Sequence, residues 1–226
     1  MTENPTFVHL TDLHVGAPGV EDPGLYSDTS STLRAILAEV KKLQPKPKFI
    51  MASGDLTNRG DVASYHQLKQ IFDEAELGIP VLFGLGNHDT RAGFYEGMLG
   101  RTDDLGAPYF HDAAIGGIHA IMLDSSTPRR VGGTIEPEQF AWLAEALDRH
   151  PELPKVIAVH HAPALDDHNP DMEWESLSFA DTAKLKDMLA GRQNVIGMFC
   201  GHIHYDRVSN WYGIPVIVGI GQHMAT

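Results

Sequence analysis

Five apolar segments of this chain are each followed, where the segment ends, by polar side chains that can bind a metal ion. These clusters are Asp12-x-His14, Gly54-Asp55, Gly86-Asn87-His88-Asp89, His160-His161 and Gly201-His202-x-His204. They offer carboxylate, imidazole and amide groups without a thiolate, a set that suits Mn, Fe or Zn and disfavours a structural thiolate zinc site. The sequence therefore predicts a metal site built at the ends of several strands.

The number and spacing of these donors point to two ions rather than one. Seven donors exceed what one ion needs, and they are Asp12, His14, Asp55, Asn87, His160, His202 and His204. They fit two ions if one carboxylate bridges, and Asp55, alone after a glycine, is the natural bridge. In extended chain, residues i and i+2 point to the same side, so we expect both side chains of Asp12-x-His14 and of His202-x-His204 to reach one point.

Two ions about 3.5–4 Å apart are a recurring device for hydrolysing phosphate esters. They clamp the phosphate oxygens and lower the pKa of a bound water to near neutrality, so that hydroxide becomes available as the nucleophile. Their charge also explains how an acidic protein binds an anionic ester.

The apolar segments themselves predict strands that alternate with helices. Thr6–Leu10, Phe49–Ser53 and Ile79–Leu85 are separated by two amphipathic helical patterns, which is typical of a parallel sheet covered by helices. From Pro108 the pattern changes, and Gly116-Gly117 predicts a hairpin within a partly antiparallel second sheet. Ligand sites of open α/β sheets lie outside the carboxyl ends of strands, where all five clusters fall. We expect one domain over residues 1–226.

Composition excludes several classes of function. The 226 residues include 17 Lys+Arg against 30 Asp+Glu, a formal net charge of −13, which argues against a nucleic-acid polymer and against a polybasic membrane surface as partner. No apolar run approaches the roughly 18–20 residues that span a bilayer. The N-terminus lacks the features of a secretory signal, and a lone cysteine, Cys200, forms no internal disulfide, so we expect a cytoplasmic protein.

The five clusters, in their order and rough spacing, resemble those of the calcineurin-like metallophosphoesterases from about Phe7 to Val218. Within that family, Leu123-Asp124-Ser125, Gly132-Gly133-x-Ile135 and Gln139-Phe140-x-Trp142-Leu143 resemble the bacterial branch that hydrolyses cyclic nucleotides and glycerophosphodiesters. The resemblance implies an α/β fold of four layers, an αββα sandwich in which two mixed β-sheets pack face to face with helices outside.

The resemblance also implies a role for each site residue. The first ion would be held by Asp12, His14, Asp55 and His204, and the second by Asp55, Asn87, His160 and His202. His88 would face the phosphate as the catalytic residue that stabilises the transition state or protonates the leaving oxygen. The implied reaction is hydrolysis of a small phosphodiester by a metal-bound hydroxide, with a homodimer as a possible assembly.

Two departures from the family pattern leave alternatives open. Phosphatases of the superfamily often carry a second aspartate, paired with the catalytic histidine, where this chain has Asn58. The relatives usually continue for tens of residues after the strand near Ile217, so we expect a C-terminal part that is short relative to theirs. The nearest alternative function is a phosphomonoesterase such as a nucleotidase, and a non-catalytic interaction scaffold is the alternative from another class.

Two further residues, Arg59 and His161, have two interpretations each. Arg59 either binds a phosphate oxygen of the substrate or is an exposed turn residue. His161 points away from His160 in an extended strand, so it contacts substrate at the mouth of the site or serves as a ligand only if the strand kinks. Asp89 is interpreted as a residue that supports the turn through hydrogen bonds.

Overall fold

Two β-sheets pack against each other in the computed structural model, which describes residues 5–165 and 169–222. In these ranges the first sheet consists of three parallel strands in chain order, β1 (Val8–Leu10), β2 (Ile50–Ala52) and β3 (Val81–Phe83). The second sheet has the order β4-β5-β6-β7-β9-β8 and comprises β4 (His111–Ile115), β5 (Ile118–Met122), β6 (Lys155–Ala158), β7 (Val195–Cys200), β8 (Arg207–Trp211) and β9 (Ile214–Val218). Its inner pairs are parallel, whereas the β4-β5 and β8-β9 hairpins at its edges are antiparallel.

Helices cover the outer faces of both sheets. In chain order they are α1 (Thr29–Val40), α2 (Val62–Ala75), α3 (Arg91–Gly93) with the π-helical turn Phe94–Met98, α4 (Pro137–Asp148), the 3-10 helix Pro170–Glu175 and α5 (Phe179–Leu189). Side-chain caps define where α1 and α2 begin, since Asp28 accepts a hydrogen bond from the Ser31 amide and Asp61 accepts one from the Ser64 amide. No helix in the described ranges is long and apolar enough to cross a membrane.

Three apolar clusters separate the four layers. Leu33 and Leu68 pack α1 and α2 on one face of the first sheet, together with Ile50. Phe49, Met51, Met122 and Val156 fill the space between the sheets. On the far side of the second sheet, the apolar faces of α4 and α5 pack against it through residues that include Leu143, Leu147 and Leu185. Because side chains alternate along a strand, Ile50 and Met51 serve two different layers.

This arrangement confirms the expected α/β fold with two sheets flanked by helices, but only the second sheet is mixed. The described strands of the first sheet are all parallel. The reason is topological, because β1, β2 and β3 are joined by crossovers through α1 and α2, and a crossover returns the chain in the same direction. The predicted Gly116-Gly117 hairpin is present as β4-β5.

The carboxyl ends of five strands meet at one edge of the sandwich. The loops that leave β1 and β2 run side by side, with the Asp12 amide donating to the Gly54 carbonyl at 3.0 Å. The loops that leave β6 and β7 are joined in the same way, because the Gly201 amide donates to the His160 carbonyl at 2.9 Å. The fold therefore holds the five polar clusters together.

Candidate metal centre

Two groups of potential metal ligands lie side by side at this edge. Asp12, His14, Asp55 and His204 offer four ligand atoms that all lie within 4.8 Å of one another, and His160, His161 and His202 form a second such group. The amide oxygen of Asn87 lies 3.2 Å from Nε2 of His160, beside the second group. The seven donors predicted from the sequence are therefore all at the site, and His161 is an addition.

Asp55 lies between the two groups. Its Oδ2 atom is 3.7 Å from Nε2 of His14 and 3.3 Å from Nε2 of His160, and its Oδ1 atom accepts the His88 amide at 2.8 Å. Burial acts to raise the pKa of Asp55, but His160 and His14 hold it well below its usual value. Burial likewise acts to lower the pKa of His160, and the Asp55 carboxylate overrides it and raises that pKa to about 9. A buried anion positioned between two imidazoles has the placement that a bridging ligand requires.

Hydrogen bonds to oxygen acceptors orient the imidazoles of His14 and His160. Nδ1 of His14 donates to the side-chain oxygen of Asn58 at 3.1 Å, and Nδ1 of His160 donates to the Ser53 carbonyl at 3.2 Å. Once a cation displaces the proton from Nε2, an imidazole that donates from Nδ1 presents a lone pair at Nε2, so each Nε2 is the ligand atom. For His202 the roles are reversed, because its Nε2 donates to the Trp174 carbonyl at 2.9 Å.

The distances between the ligand atoms of the first group show whether a cation fits among them. Nε2 of His14 lies 3.2 Å from Nε2 of His204, which in turn lies 3.1 Å from Oδ1 of Asp12. Asp12 and His14 are buried, so water does not solvate these acceptors freely. A proton on Nε2 of His204 can serve only one of these two contacts, so lone pairs still face one another here. That is costly away from solvent unless something positive lies among them. The donor set therefore fits a cation in the first group.

The donor residues hold unusual backbone conformations. Asp12, His14, Asp55, His202 and His204 have positive φ angles of 52°, 44°, 47°, 78° and 51°. Side chains rarely adopt this left-handed region, and such strain persists where tertiary structure enforces it, commonly at functional sites. The expectation that extended chain aligns each pair of side chains was therefore wrong about the local conformation. Asp12 and His14 still meet in one group, whereas His202 and His204 belong to the two different groups.

Glycines beside the donors make room for this convergence. A Cβ atom placed on Gly86 would lie 2.2 Å from Oδ1 of Asp55, and one on Gly201 would lie 2.3 Å from Oδ2 of Asp12. Contacts this short are not possible without displacing the carboxylates. Gly86 and Gly201 are thus required by close packing against the acidic ligands.

His88 lies at the open side of the site and lines an adjoining cleft of about 640 Å³. Its Nδ1 donates to the backbone carbonyl of Asn58 at 2.9 Å, and its ring meets the His14 ring edge-on with centroids 4.7 Å apart. Nε2 of His88 is therefore the nitrogen that is left for a substrate. The partner of His88 is a backbone carbonyl, and the Asn58 side chain, at the position of the phosphatase aspartate, contacts His14 and Asp22 instead.

Asp89 holds the turn that carries Asn87 and His88. It is buried and accepts hydrogen bonds from the Gly86 and Leu56 amides and from the Tyr65 hydroxyl, at 2.9, 3.0 and 2.7 Å. Burial and the nearby Asp55 raise its pKa to about 6. The supporting role predicted for Asp89 is confirmed.

Asp22 is a residue of this site that the sequence reasoning missed. Its Oδ2 accepts from Nδ2 of Asn58 and from Nε of Arg59, both at 2.7 Å, and the Arg59 contact above all lowers the pKa of Asp22 to about 2. Asp22 thereby fixes the Asn58 side chain that in turn orients His14. It lies in an irregular loop 36 residues from Asn58, so no spacing pattern signals the contact. Arg59 lines the cleft, and its contact with substrate stays a prediction.

His161 is fully buried rather than at the mouth of the site. Its Nδ1 lies 2.7 Å from the Ser125 hydroxyl, and its Nε2 donates to the Val131 carbonyl at 2.8 Å. Its ring is also close to that of His202, with centroids 4.4 Å apart. Because both ring nitrogens have partners in the protein, this position does not support the predicted contact with substrate.

The fold and the two donor groups together define a metal-dependent phosphoesterase with a candidate metal site of aspartate and histidine side chains. The sequence profile of the calcineurin-like phosphoesterases matches residues 5–206, and the chain belongs to this family. A probable cyclic nucleotide phosphodiesterase of Rhodococcus erythropolis is 33% identical over 93% of this chain and 68% of its own length. A cAMP/cGMP dual specificity phosphodiesterase of Mycobacterium tuberculosis is 31% identical over 93% of this chain and 65% of its own length.

Relatives named glycerophosphodiester phosphodiesterase also match, which places the chain in the bacterial phosphodiesterase branch of the family. Among solved structures, a dimetal phosphatase from Danio rerio superposes with a TM-score of 0.71 and covers 96% of this chain and 88% of that one. Their sequence identity is 14%, so this likeness concerns the fold alone.

Proposed function

We propose that the chain hydrolyses small phosphodiesters, cyclic nucleotides or glycerophosphodiesters, with two metal ions held by the paired donor groups. The observation that carries this proposal is the position of Asp55, whose Oδ2 lies 3.7 Å from His14 of one group and 3.3 Å from His160 of the other. A single carboxylate shared by two sets of imidazoles is the arrangement that a pair of ions requires.

Asp12, His14, Asp55 and His204 would hold one ion, and Asp55, Asn87, His160 and His202 the other. When bound, two such ions neutralise charge on the phosphate and lower the pKa of a bound water, which is the chemistry of hydrolysis. The donors are nitrogen and oxygen atoms without sulfur, so Mn, Fe or Zn are the candidate ions. Elemental analysis of the purified protein after incubation with each metal would identify the pair.

The protein's own contribution to bond cleavage would come from His88. Its Nδ1 donates to the Asn58 carbonyl, so its Nε2 faces the side from which a substrate enters. An alkoxide leaving group needs a proton, and a positioned imidazolium supplies one from a nitrogen within hydrogen-bond distance. The His88 amide also binds Asp55 at 2.8 Å, which places the proton donor next to the proposed bridge.

Comparing two substrates tests the reaction class. With Mn²⁺ added, we expect the protein to cleave bis(p-nitrophenyl) phosphate with a higher kcat/KM than p-nitrophenyl phosphate. A preference for the second would establish a phosphomonoesterase instead. No turnover of either ester together with no bound metal would favour the non-catalytic scaffold.

We further propose that the chain is one domain over residues 1–226 that works in the cytoplasm, and that it forms a homodimer. The reducing setting is supported by Cys200, which is buried and free in the described ranges. Light scattering of the purified protein would measure the mass of the assembly, and the mass of a single chain would refute the dimer.

A further inference from the structure

A surface loop beside the candidate metal centre carries two arginines that have no role in the proposed hydrolysis. We propose that this loop, residues 127–134, selects the alcohol group of the ester through Arg129 and Arg130. It would favour an aromatic or neutral group and disfavour a cationic one. The inference rests on the proposed phosphodiesterase function and names the substrates that this function would accept.

The cleft into which the loop projects has room for an organic group next to the phosphate position. His88 and Asn87 belong to its lining, and Leu105, Pro128 and Val131 contribute apolar surface. Its volume of about 640 Å³ falls in the range of pockets that hold whole small molecules. A substrate whose phosphate is next to His88 would therefore place its alcohol group against this loop.

The charge in the cleft is positive, although the chain as a whole carries −13. Four arginines line it, of which Arg59 is paired with Asp22, and Arg91 with Asp124 and Glu136. The other two, Arg129 and Arg130, are exposed and make no side-chain hydrogen bond or ion pair with the described residues. They are the unpaired cations of the cleft.

No carboxylate among the residues that line this cleft is free to offset these arginines, and Arg130 also borders a neighbouring depression that Asp171 and Glu173 line. The acidic residue that lines the cleft is Asp89, whose oxygens already accept from Leu56, Thr57 and Gly86 amides. A guanidinium stacks on aromatic rings and attracts electron-rich groups, while it repels a quaternary ammonium. A nucleoside therefore matches this surface, and a choline group does not.

The loop is held in place by buried contacts rather than left to move freely. Nε2 of His161 donates to the Val131 carbonyl at 2.8 Å, and the Gly133 amide donates to the Ser176 carbonyl at 2.9 Å. The hydroxyls of Thr127 and Thr134 are 2.6 Å apart and close the base of the loop. A recognition loop that is ordered before binding loses less entropy on binding, so its two arginines discriminate more effectively.

Arg129 itself adopts a left-handed conformation, with φ of 63°. This conformation is uncommon for a residue with a side chain, and it persists where the surrounding contacts enforce it. This strained conformation occurs at the residue that presents one of the two unpaired guanidinium groups.

The test measures kcat/KM for adenosine 3′,5′-cyclic phosphate, glycerophosphoglycerol and glycerophosphocholine, which carry an aromatic, a neutral and a cationic group. We expect the unaltered protein to discriminate against the choline ester. Arg130→Glu should shift the ratio of choline ester to glycerol ester by about tenfold towards the choline ester, because a repulsive charge becomes attractive. Lys42→Glu, the same charge reversal at an exposed lysine of an ion pair with Glu39, is the matched control and should leave the ratio unchanged.

Three results would overturn the inference. They are a choline ester preferred by the unaltered protein, a ratio unmoved by Arg129→Glu and Arg130→Glu, and an equal shift in the Lys42→Glu control. If the unaltered protein cleaves no diester at all, the proposed function fails as well, so the two failures are distinguishable.

His161 provides a second, independent test through the position of the loop. We expect His161→Ala to raise KM for the cyclic nucleotide more than it lowers kcat, with metal content retained. His161→Asn should restore KM in part, because its amide both donates and accepts. Loss of metal in His161→Ala would assign the residue to the metal centre and refute this positioning role.

Discussion

Replacing His88 with alanine separates proton donation from metal binding. The substitution removes the imidazole but keeps the backbone amide that binds Oδ1 of Asp55. Of the hydrogen bonds at this residue, the one lost is from Nδ1 to the Asn58 carbonyl, at a position that is already exposed. We therefore expect both ions to stay bound and the protein to stay folded.

The size of the kinetic loss follows from the role of a general acid. Such catalysis contributes about 10²–10⁴-fold, or roughly 3–5 kcal/mol of barrier, when the leaving group needs a proton. An alkoxide such as that of a glycerophosphodiester needs one, whereas p-nitrophenolate is a stable anion and does not. His88→Ala should thus lower kcat about 10²-fold or more on the alkyl ester and by a much smaller factor on the nitrophenyl ester.

The assay combines steady-state kinetics on both esters with metal analysis of the same samples. His66→Ala, which removes an exposed histidine of α2, is the matched control and should leave both rates and the metal content unchanged. Equal losses on the two esters would show that His88 stabilises charge without donating a proton. Loss of metal in His88→Ala would refute the assignment of proton donation to His88 and of metal binding to its neighbour Asn87.

The remaining predictions concern the proposed bridging ligand, two residues that pack against or orient ligands, and the buried thiol. Asp55→Ala should empty at least one metal position by elemental analysis, and full occupancy would exclude the bridge. Gly86→Ala forces a Cβ to within 2.2 Å of Oδ1 of Asp55, so it should lower the melting temperature by about 3–9 °C, whereas Gly106→Ala, where a Cβ meets nothing within 4 Å, should not. Asp22→Ala removes the acceptor that fixes the Asn58 side chain, which in turn orients His14, and should weaken Mn²⁺ binding about tenfold in a titration. An unchanged affinity would contradict this coupling of Asp22 to the metal centre. The thiol of Cys200 is buried and its pKa is raised by that burial, so it should react with a thiol reagent only after denaturant is added, and rapid reaction of the folded protein would contradict its burial.

The sequence was sufficient for the parts of this protein that depend on short spacings. Polar donors that directly follow apolar strands must lie at a sheet edge, because the strand itself delivers its last residue there. Asp12, Asp55 and His160 are of this kind, and the alternation of strands with helices predicted the parallel crossovers that bring them together. The Gly116-Gly117 hairpin was predictable for the same local reason.

Some structure was missed because its signal is not periodic. The short helical turns at Arg91–Gly93, Phe94–Met98 and Pro170–Glu175 carry too few residues to show an apolar pattern. They nevertheless matter to the site, since Arg91 joins Asp124 across 33 residues and the Trp174 carbonyl orients His202. Contacts of this kind are made between loops, where spacing along the chain carries no information about distance.

Only the tertiary structure decided how the donors are held. Five of them adopt left-handed backbone conformations, which extended-chain reasoning does not predict because their cost is offset by contacts elsewhere in the fold. Asp22 reaches Asn58 across 36 residues, and His161 turns inward to bind Val131 instead of facing a substrate. Short segments of the sequence identify the residue types at the centre, whereas the orientation of their side chains depends on partners that only folding brings within hydrogen-bond distance.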